Sequence, residues 1–350
     1  MPGAYRVLTA AELEAVGAEP LRELAIDVLV GLSSRPKRLS SRWIYDDAGS
    51  RLFQQICDLE VYYPTRCEFE ILEAQKDEIL RRLGETPFNL VDLGAGDGRK
   101  TRVLVEHFLA AGARFRYVPI DISEGAMREL TALVQKEYPG CEVAGLVTDY
   151  FSGIAYLAHQ APARRNLVLF LGSNIGNFTR PEARALLLRL WNAARPGDLV
   201  LVGFDLKKDI DVLLDAYNDP QGVTARFNKN LLARINRELG GHFELDRFRH
   251  YATYDVFSGA MESYLVSLEA QRVAVDALRT TFDFAPFEPI HTEYSYKYLV
   301  SDADALAQAT GFRIEARFFD AKGYFMDALW SVEKPPESTE TPASRGEGSR

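Results

Sequence analysis

Cysteine is scarce in this chain and does not pair. Cys57, Cys67 and Cys141 are an odd number with no Cys-x-x-Cys among them, which argues against a disulfide frame or a zinc ribbon and for reduced thiols in a cytoplasmic protein. The five histidines, His107, His159, His242, His250 and His291, show no ligand spacing, so no metal is expected. Basic residues are outnumbered by acidic ones, for a net charge of −9. That is the wrong sign for a surface that tracks phosphate backbones, and no nucleic-acid partner is expected. Neither a secretory leader nor an apolar run of about 18 residues stands out, so a soluble chain with no membrane partner is expected. Apolar residues, by contrast, make up 47% of the 350, enough for one large or two modest domains. A small molecule is the partner these balances leave, and a monomer is the expected state.

The chain is organised around Asn89-Leu-Val-Asp-Leu-Gly-Ala-Gly-Asp-Gly-Arg-Lys100. Phe88 to Leu93 is short, mostly apolar and followed at once by glycine, as suits a buried parallel strand. Glycines at alternate positions 94, 96 and 98 remove side chains where a ligand must approach backbone amides. The helix that follows, Thr101 to Ala111, points its amide-rich end at that ligand. A dinucleotide fingerprint needs a sixth-position glycine, and a phosphate-binding loop needs glycine directly before Lys-Ser/Thr. Arg99 stands at both places. What remains is acidic-x-Gly-x-Gly-x-Gly, which resembles the first motif of the Rossmann-like S-adenosylmethionine-dependent methyltransferases. A tight strand-to-helix turn with no ligand is the competing reading.

A second strand, Phe115 to Ile120, ends at Asp121. An ionised carboxylate there accepts both hydroxyls of an adenosine ribose, or else caps the helix that starts near Ser123. The helix Glu124 to Glu137 precedes a third strand, Val143 to Val147, and then Asp149-Tyr150, an acid and a ring suited to bracket an adenine. The run Asn166 to Gly172 is almost wholly apolar and must be central. It ends in Ser173-Asn-Ile-Gly-Asn177, a polar loop where open α/β sheets bind ligands. The helix Arg180 to Ala194 and the strand Leu199 to Phe204 complete an alternation that predicts a parallel, doubly wound sheet.

The pattern changes after Asp205. Helices over Asp209 to Tyr217 and Val223 to Leu239 flank the turn Asn218-Asp-Pro-Gln-Gly222. Strands over Phe243 to Tyr254, Met261 to Val273 and Thr280 to Phe287 follow, closed by His291-Thr-Glu-Tyr-Ser-Tyr-Lys-Tyr298. This reads as an α+β insertion. A helix, Asp302 to Ala309, and two strands, Phe312 to Phe319 and Tyr324 to Val332, return to the sheet. At the other end, Thr9-Ala-Ala-Glu12 fits a capping box, Leu21 to Leu32 has helical spacing, and a helix Ile71 to Leu83 leads into the organising strand. Between them, Arg42 to Arg66 is dense in aromatics and charge. It either packs a domain edge or walls a cleft, since tyrosine offers both a ring face and a hydroxyl. Residues 335–350 are expected to be a disordered tail.

Together these motifs resemble one family, the ergothioneine-pathway L-histidine Nα-methyltransferases. The likeness rests on Tyr45-Asp-Asp-Ala-Gly-Ser50, Tyr62-Tyr-Pro-Thr-Arg66, Phe170-Leu-Gly-Ser-Asn-Ile-Gly-Asn177, Ala216-Tyr-Asn-Asp-Pro-Gln-Gly-Val223, Phe227-Asn-Lys-Asn-Leu-Leu-Ala-Arg-Ile-Asn236 and His291-Thr-Glu-Tyr-Ser295. It spans about residues 20 to 333. It implies an α/β fold, a Rossmann-like class I methyltransferase sheet with a second α+β substrate-binding domain. Residues 71–205 and 296–333 would bind the cofactor, S-adenosyl-L-methionine, and residues 10–70 and 206–295 the substrate. The implied activity is transfer of methyl groups to the α-amino group of L-histidine, giving Nα,Nα,Nα-trimethylhistidine (hercynine).

By position, Gly94, Lys100, Asp121, Asp149 and Tyr150 match the family's cofactor contacts, with tyrosine at 150 where the family usually has phenylalanine. Tyr62, Asn177, Tyr217, Glu293 and Ser295 match its histidine contacts, Asn177 and Tyr217 on the α-carboxylate and Glu293 and Ser295 on the imidazole. Tyr45 matches a tyrosine near the amine and is the catalytic candidate. Methyl transfer from a sulfonium is an in-line displacement, so alignment carries catalysis and no nucleophilic side chain is needed. Some members carry methionine where this chain has Ser263, which leaves tyrosine or tryptophan open as substrates. The lack of an obligatory catalytic side chain leaves open a non-catalytic sensor.

Overall fold

Residues 5–7, 20–158 and 164–334 are described in a computed structural model. The expected capping box at Thr9–Glu12 and the tail 335–350 lie outside them. A short strand β1 (Tyr5–Val7) comes first, then helix α1 (Pro20–Ser33) and strand β2 (Lys37–Arg38). Two helices follow, α2 (Asp47–Cys57) and α3 (Tyr63–Leu83). The sequence reading starts α3 at Ile71. It begins eight residues earlier because Pro64 fits the first turn, where its missing N–H has no partner to lose.

The organising strand β3 (Phe88–Leu93) runs into α4 (Arg99–Ala110), and β4 (Phe115–Asp121) into α5 (Glu124–Glu137). The third strand is broken into β5 (Glu142–Val143) and β6 (Gly145–Val147). A helix the sequence reading lacks, α6 (Tyr150–Ala158), follows directly. It starts there because Asp149 accepts the amides of Phe151 and Ser152 at 2.8 and 3.0 Å. Then come β7 (Arg165–Phe170), α7 (Arg180–Ala193) and β8 (Leu199–Asp205).

After β8 the chain forms α8 (Ile210–Tyr217), α9 (Val223–Leu239), β9 (Phe248–Asp255) and β10 (Ala260–Ser267). The expected strand over 261–273 is two strands, because β11 (Gln271–Val275) leaves the ladder and pairs with β12 (Thr280–Phe284) in a separate hairpin. The last elements are β13 (Pro289–Tyr296), α10 (Val300–Ala309), β14 (Phe312–Phe319) and β15 (Phe325–Val332).

The large sheet has the order β1-β6-β4-β3-β7-β8-β15-β14, with β5 beside β4. Its strands run parallel except β15, which is antiparallel to both β8 and β14. Strand order reverses between β3 and β7, and that switch point is where an open α/β sheet offers a crevice. The second sheet, β2-β13-β10-β9, comes from the insertion and the N-terminal segment together. It meets the first where the Tyr298 amide bonds to the Asp205 carbonyl at the end of β8 (2.9 Å).

Candidate active site

The glycine loop after β3 is held open by its own backbone. Gly96 has φ 54°, a left-handed conformation that costs other residues energy. A methyl group built on it would meet nothing within 4 Å, so the loop faces open space. Its amide donates to Asp121 Oδ2 (2.8 Å), while Asp121 Oδ1 accepts from the Ser123 amide (2.9 Å). Asp121 therefore ties the loop to β4, and Ser123, not Asp121, caps α5 by accepting from the Ala126 amide. A carboxylate has about four acceptor positions, so Asp121 keeps capacity for a ribose. The N-cap of helix α4, Gly98, offers no side chain; Asp97 Oδ1 takes the Arg99 amide (3.0 Å), and the next first-turn amides are left for a ligand.

Behind the loop, Asp92 accepts from Thr101 Oγ1 (2.6 Å) and Tyr117 OH (3.0 Å). Burial outweighs both donors and lifts its carboxyl to about 6. Tyr150 lies across the loop, edge-on to Phe170 at 5.3 Å, with its hydroxyl against Gly94. Asp149 spends three acceptor positions on α6, the third on Ser152 Oγ (2.8 Å), leaving about one for an adenine amine. Lys100 pairs with the fully buried Glu68. Glu68 also accepts the Gly172 amide at 2.7 Å. These residues fit an adenosine-bearing cofactor: an open backbone cradle, an acid beside it and a ring over it.

All six residues singled out on the substrate side line one cavity: Tyr45, Tyr62, Asn177, Tyr217, Glu293 and Ser295. They come from five places in the chain. Tyr45 follows a 3-10 turn, Ser41–Ile44, and its ring packs edge-on against Phe53 and Phe227. Tyr62 precedes α3, and Tyr217 ends α8, with ring centroids 6.4 Å apart. Asn177 ends a 3-10 turn, Asn174–Asn177, entered through Ser173 at φ 54°. Glu293 and Ser295 alternate on β13. The dense aromatic stretch 42–66 is therefore a wall of this cavity. Ser263 is buried and sits opposite Glu293 in the β10–β13 ladder, on the same face.

Electrostatics divide the cavity. Burial lifts the Glu293 carboxyl to about 7, although Lys297 and a hydrogen bond from Tyr45 pull it down. Burial and the Glu293 charge hold the Tyr45 phenol protonated, so it is a donor to Glu293 and not a base. Asp205, fully buried, also lines the cavity. Burial would raise its carboxyl, but Lys297 and Lys208 offset that and hold it below the usual range. Asp205 Oδ2 lies 2.7 Å from Lys297 Nζ, and both its oxygens accept from Tyr63 OH at 2.8 Å. Asp205, Lys208, Lys297, Tyr63 and Glu68 escaped the sequence reading. For Lys297 a signal exists: Glu293, Ser295 and Lys297 recur every second residue, the period of one strand face.

A switch-point crevice with a glycine loop, an acid at the end of the next strand and an adjoining polar cavity fits a methyltransferase of the Rossmann-like, S-adenosylmethionine-dependent class. The sequence profile described as "Histidine-specific methyltransferase, SAM-dependent" matches residues 24–332, and the chain belongs to that family. It is 40% identical over 308 residues to the histidine N-alpha-methyltransferase of Mycolicibacterium smegmatis, covering 88% of this chain and 94% of that one. Against the enzyme of the same name from Mycobacterium tuberculosis, identity is 39%, over 85% of this chain and 92% of the other. Ergothioneine biosynthesis protein 1 of Schizosaccharomyces pombe is 28% identical across 88% of this chain and 40% of its own length.

Proposed function

We propose that this protein transfers methyl groups from S-adenosylmethionine to the α-amino nitrogen of L-histidine, giving trimethylhistidine in ergothioneine biosynthesis. One observation carries the reading. A buried acid, Glu293, and a hydroxyl, Ser295, stand in the same cavity as Asn177 and Tyr217, so one amino acid can be gripped at both ends. The two-domain division, 71–205 with 296–333 against 10–70 with 206–295, belongs to the same proposal, as do a monomeric state and a cytoplasmic location.

Gly94, Lys100, Asp121, Asp149 and Tyr150 hold the cofactor, which supplies an electrophilic methyl group on a sulfonium. The chain supplies alignment. Asn177 takes the substrate carboxylate, and Tyr217, whose one proton goes to Ser295 Oγ, closes the wall beside it together with Tyr62. Glu293, ionised, accepts an imidazole N–H in a charge-assisted bond. The Tyr45 proton is directed to Glu293, so its oxygen accepts an amine N–H and turns the nitrogen lone pair toward the methyl group. Tyrosine ring faces also suit the quaternary ammonium that a third transfer creates.

Mass spectrometry of the product from histidine tests this directly. The expected product carries three added methyl groups. No methylated histidine, or faster turnover of tyrosine or tryptophan, would overturn it; the small Ser263 beside Glu293 is what makes those two the proper competitors.

A further inference from the structure

Lys297 is an ammonium with no exposure at all, and such a group is tolerated only when every proton has a partner. It has three: Asp205 Oδ2 at 2.7 Å, Tyr217 OH at 2.8 Å and Ser295 Oγ at 2.8 Å. Tyr217 OH in turn donates to Ser295 Oγ at 2.7 Å. The Ser295 oxygen thus accepts twice, from Lys297 and from Tyr217. A hydroxyl has two lone pairs and one proton. With both lone pairs engaged, the Ser295 proton is directed outward, into the cavity it lines.

We propose that Lys297 is a positioning and specificity-determining residue for the amino-acid substrate: it fixes Ser295 as a donor into the cavity and supplies the positive charge that keeps Glu293 an acceptor. The proposal rests on the function proposed above and deepens it. One wall then accepts a hydrogen bond and its neighbour donates one. A neutral imidazole has one N–H and one bare nitrogen, and satisfies both. An indole has a donor only and leaves the Ser295 proton unpaired, which costs affinity in a buried site.

The charge argument depends on everything that faces Glu293. Tyr45 approaches from the turn before α2 and Lys297 from the continuation of β13. Around Tyr45 stand Tyr217 of α8, Tyr150 of α6 and Cys57 of α2. Around Lys297 stand Asp205, Tyr217 and Ser295, with Lys208 and Tyr63 beyond on Asp205. Lysine 297 is the cation that bears on Glu293 most strongly, and it opposes the rise that burial imposes there. Without it, Glu293 takes up its proton at higher pH.

The test measures KM and kcat for histidine against pH, and cofactor affinity by calorimetry, in the full chain and in Lys297→Met, Lys297→Gln and Glu293→Gln. The substrate's own titrations are common to all, so differences between profiles belong to the protein. In the parent enzyme, KM is expected to rise as pH falls through the Glu293 titration. Lys297→Met should raise KM about 10-fold or more, move that acid limb alkaline by about one pH unit, and leave cofactor affinity within about twofold, the ordinary scatter of a distant site. Glu293→Gln should remove the limb. Lys297→Gln, which keeps polar reach without charge, gives the same shift and decides the matter if the methionine variant fails to fold. An unmoved limb in an active variant, or parallel loss of cofactor and histidine affinity, would overturn the role of Lys297. A parent enzyme that does not methylate histidine at any pH removes the functional reading instead, before any variant is compared.

Discussion

The two halves of the site are made of different material. The core of the cofactor half is mostly backbone: a glycine loop, a helix start and Asp121, within about 35 residues, the span from β3 to α5, joined by Asp149 and Tyr150 after β6. The amino-acid half is side chains drawn from Tyr45 to Ser295 and fixed by a buried ionic network. The first recognises a shape that many enzymes share. The second, in the proposed reading, grips an amino acid, and burial there lifts Glu293 to about 7. Generic binding can be done by amides that every residue carries; discrimination needs placed donors, acceptors and charge.

The sharpest way to break this division is a crossed pair of substitutions. Glu293→Ala should weaken histidine binding by about 100-fold, the loss of one charged hydrogen bond in a buried site, with cofactor binding unchanged in calorimetry. Asp121→Ala should weaken the cofactor by about 10- to 100-fold and spare histidine. Equal losses in both variants would show that the halves are not separable. A backbone change should act on stability first. Gly98 has φ 64°, and a methyl group there would lie 2.3 Å from Leu130 Cδ1. Gly98→Ala is therefore expected to cost about 2 kcal/mol or more in denaturant unfolding, with cofactor affinity falling and histidine affinity kept.

A pH slope gives a further test. The Asp92 carboxyl is lifted by burial to about 6 from its ordinary 3.8. Between these values the folded chain holds a proton that the unfolded chain has released, so stability falls as pH rises through that window. Asp92→Asn should flatten this fall, up to about 3 kcal/mol by linkage, in thermal or denaturant unfolding at acid and neutral pH. A variant whose slope matches the parent's would show that Asp92 is ionised in the fold at acid pH.

Much of the cofactor half was legible because its signals are local. The bounds of β3, α5 and β14 agree with the periodicity, and the glycine spacing excluded dinucleotide and phosphate loops. Helix α6 was not legible: its start depends on Asp149 turning back to cap it, and the same acid reads equally well as a ligand contact. In the insertion, alternation continued past Leu268, yet β10 and β11 join different sheets. Alternation reports a strand but not its partner. The network around Asp205 was hidden for a related reason. Asp205 and Lys297 are 92 positions apart in the chain, and a lysine in a polar-looking motif reads as solvated until its neighbours are known.

By itself the sequence determined the sheet, its glycine loop and the class of ligand, because strand burial and loop curvature follow from residues close together along the chain. Only the tertiary structure decided which charges are buried together: that Lys297 faces Asp205, that Tyr45 donates a hydrogen bond to Glu293, and that Glu68 takes Lys100. Desolvation and Coulomb terms depend on distance through space, and no spacing along the chain encodes them.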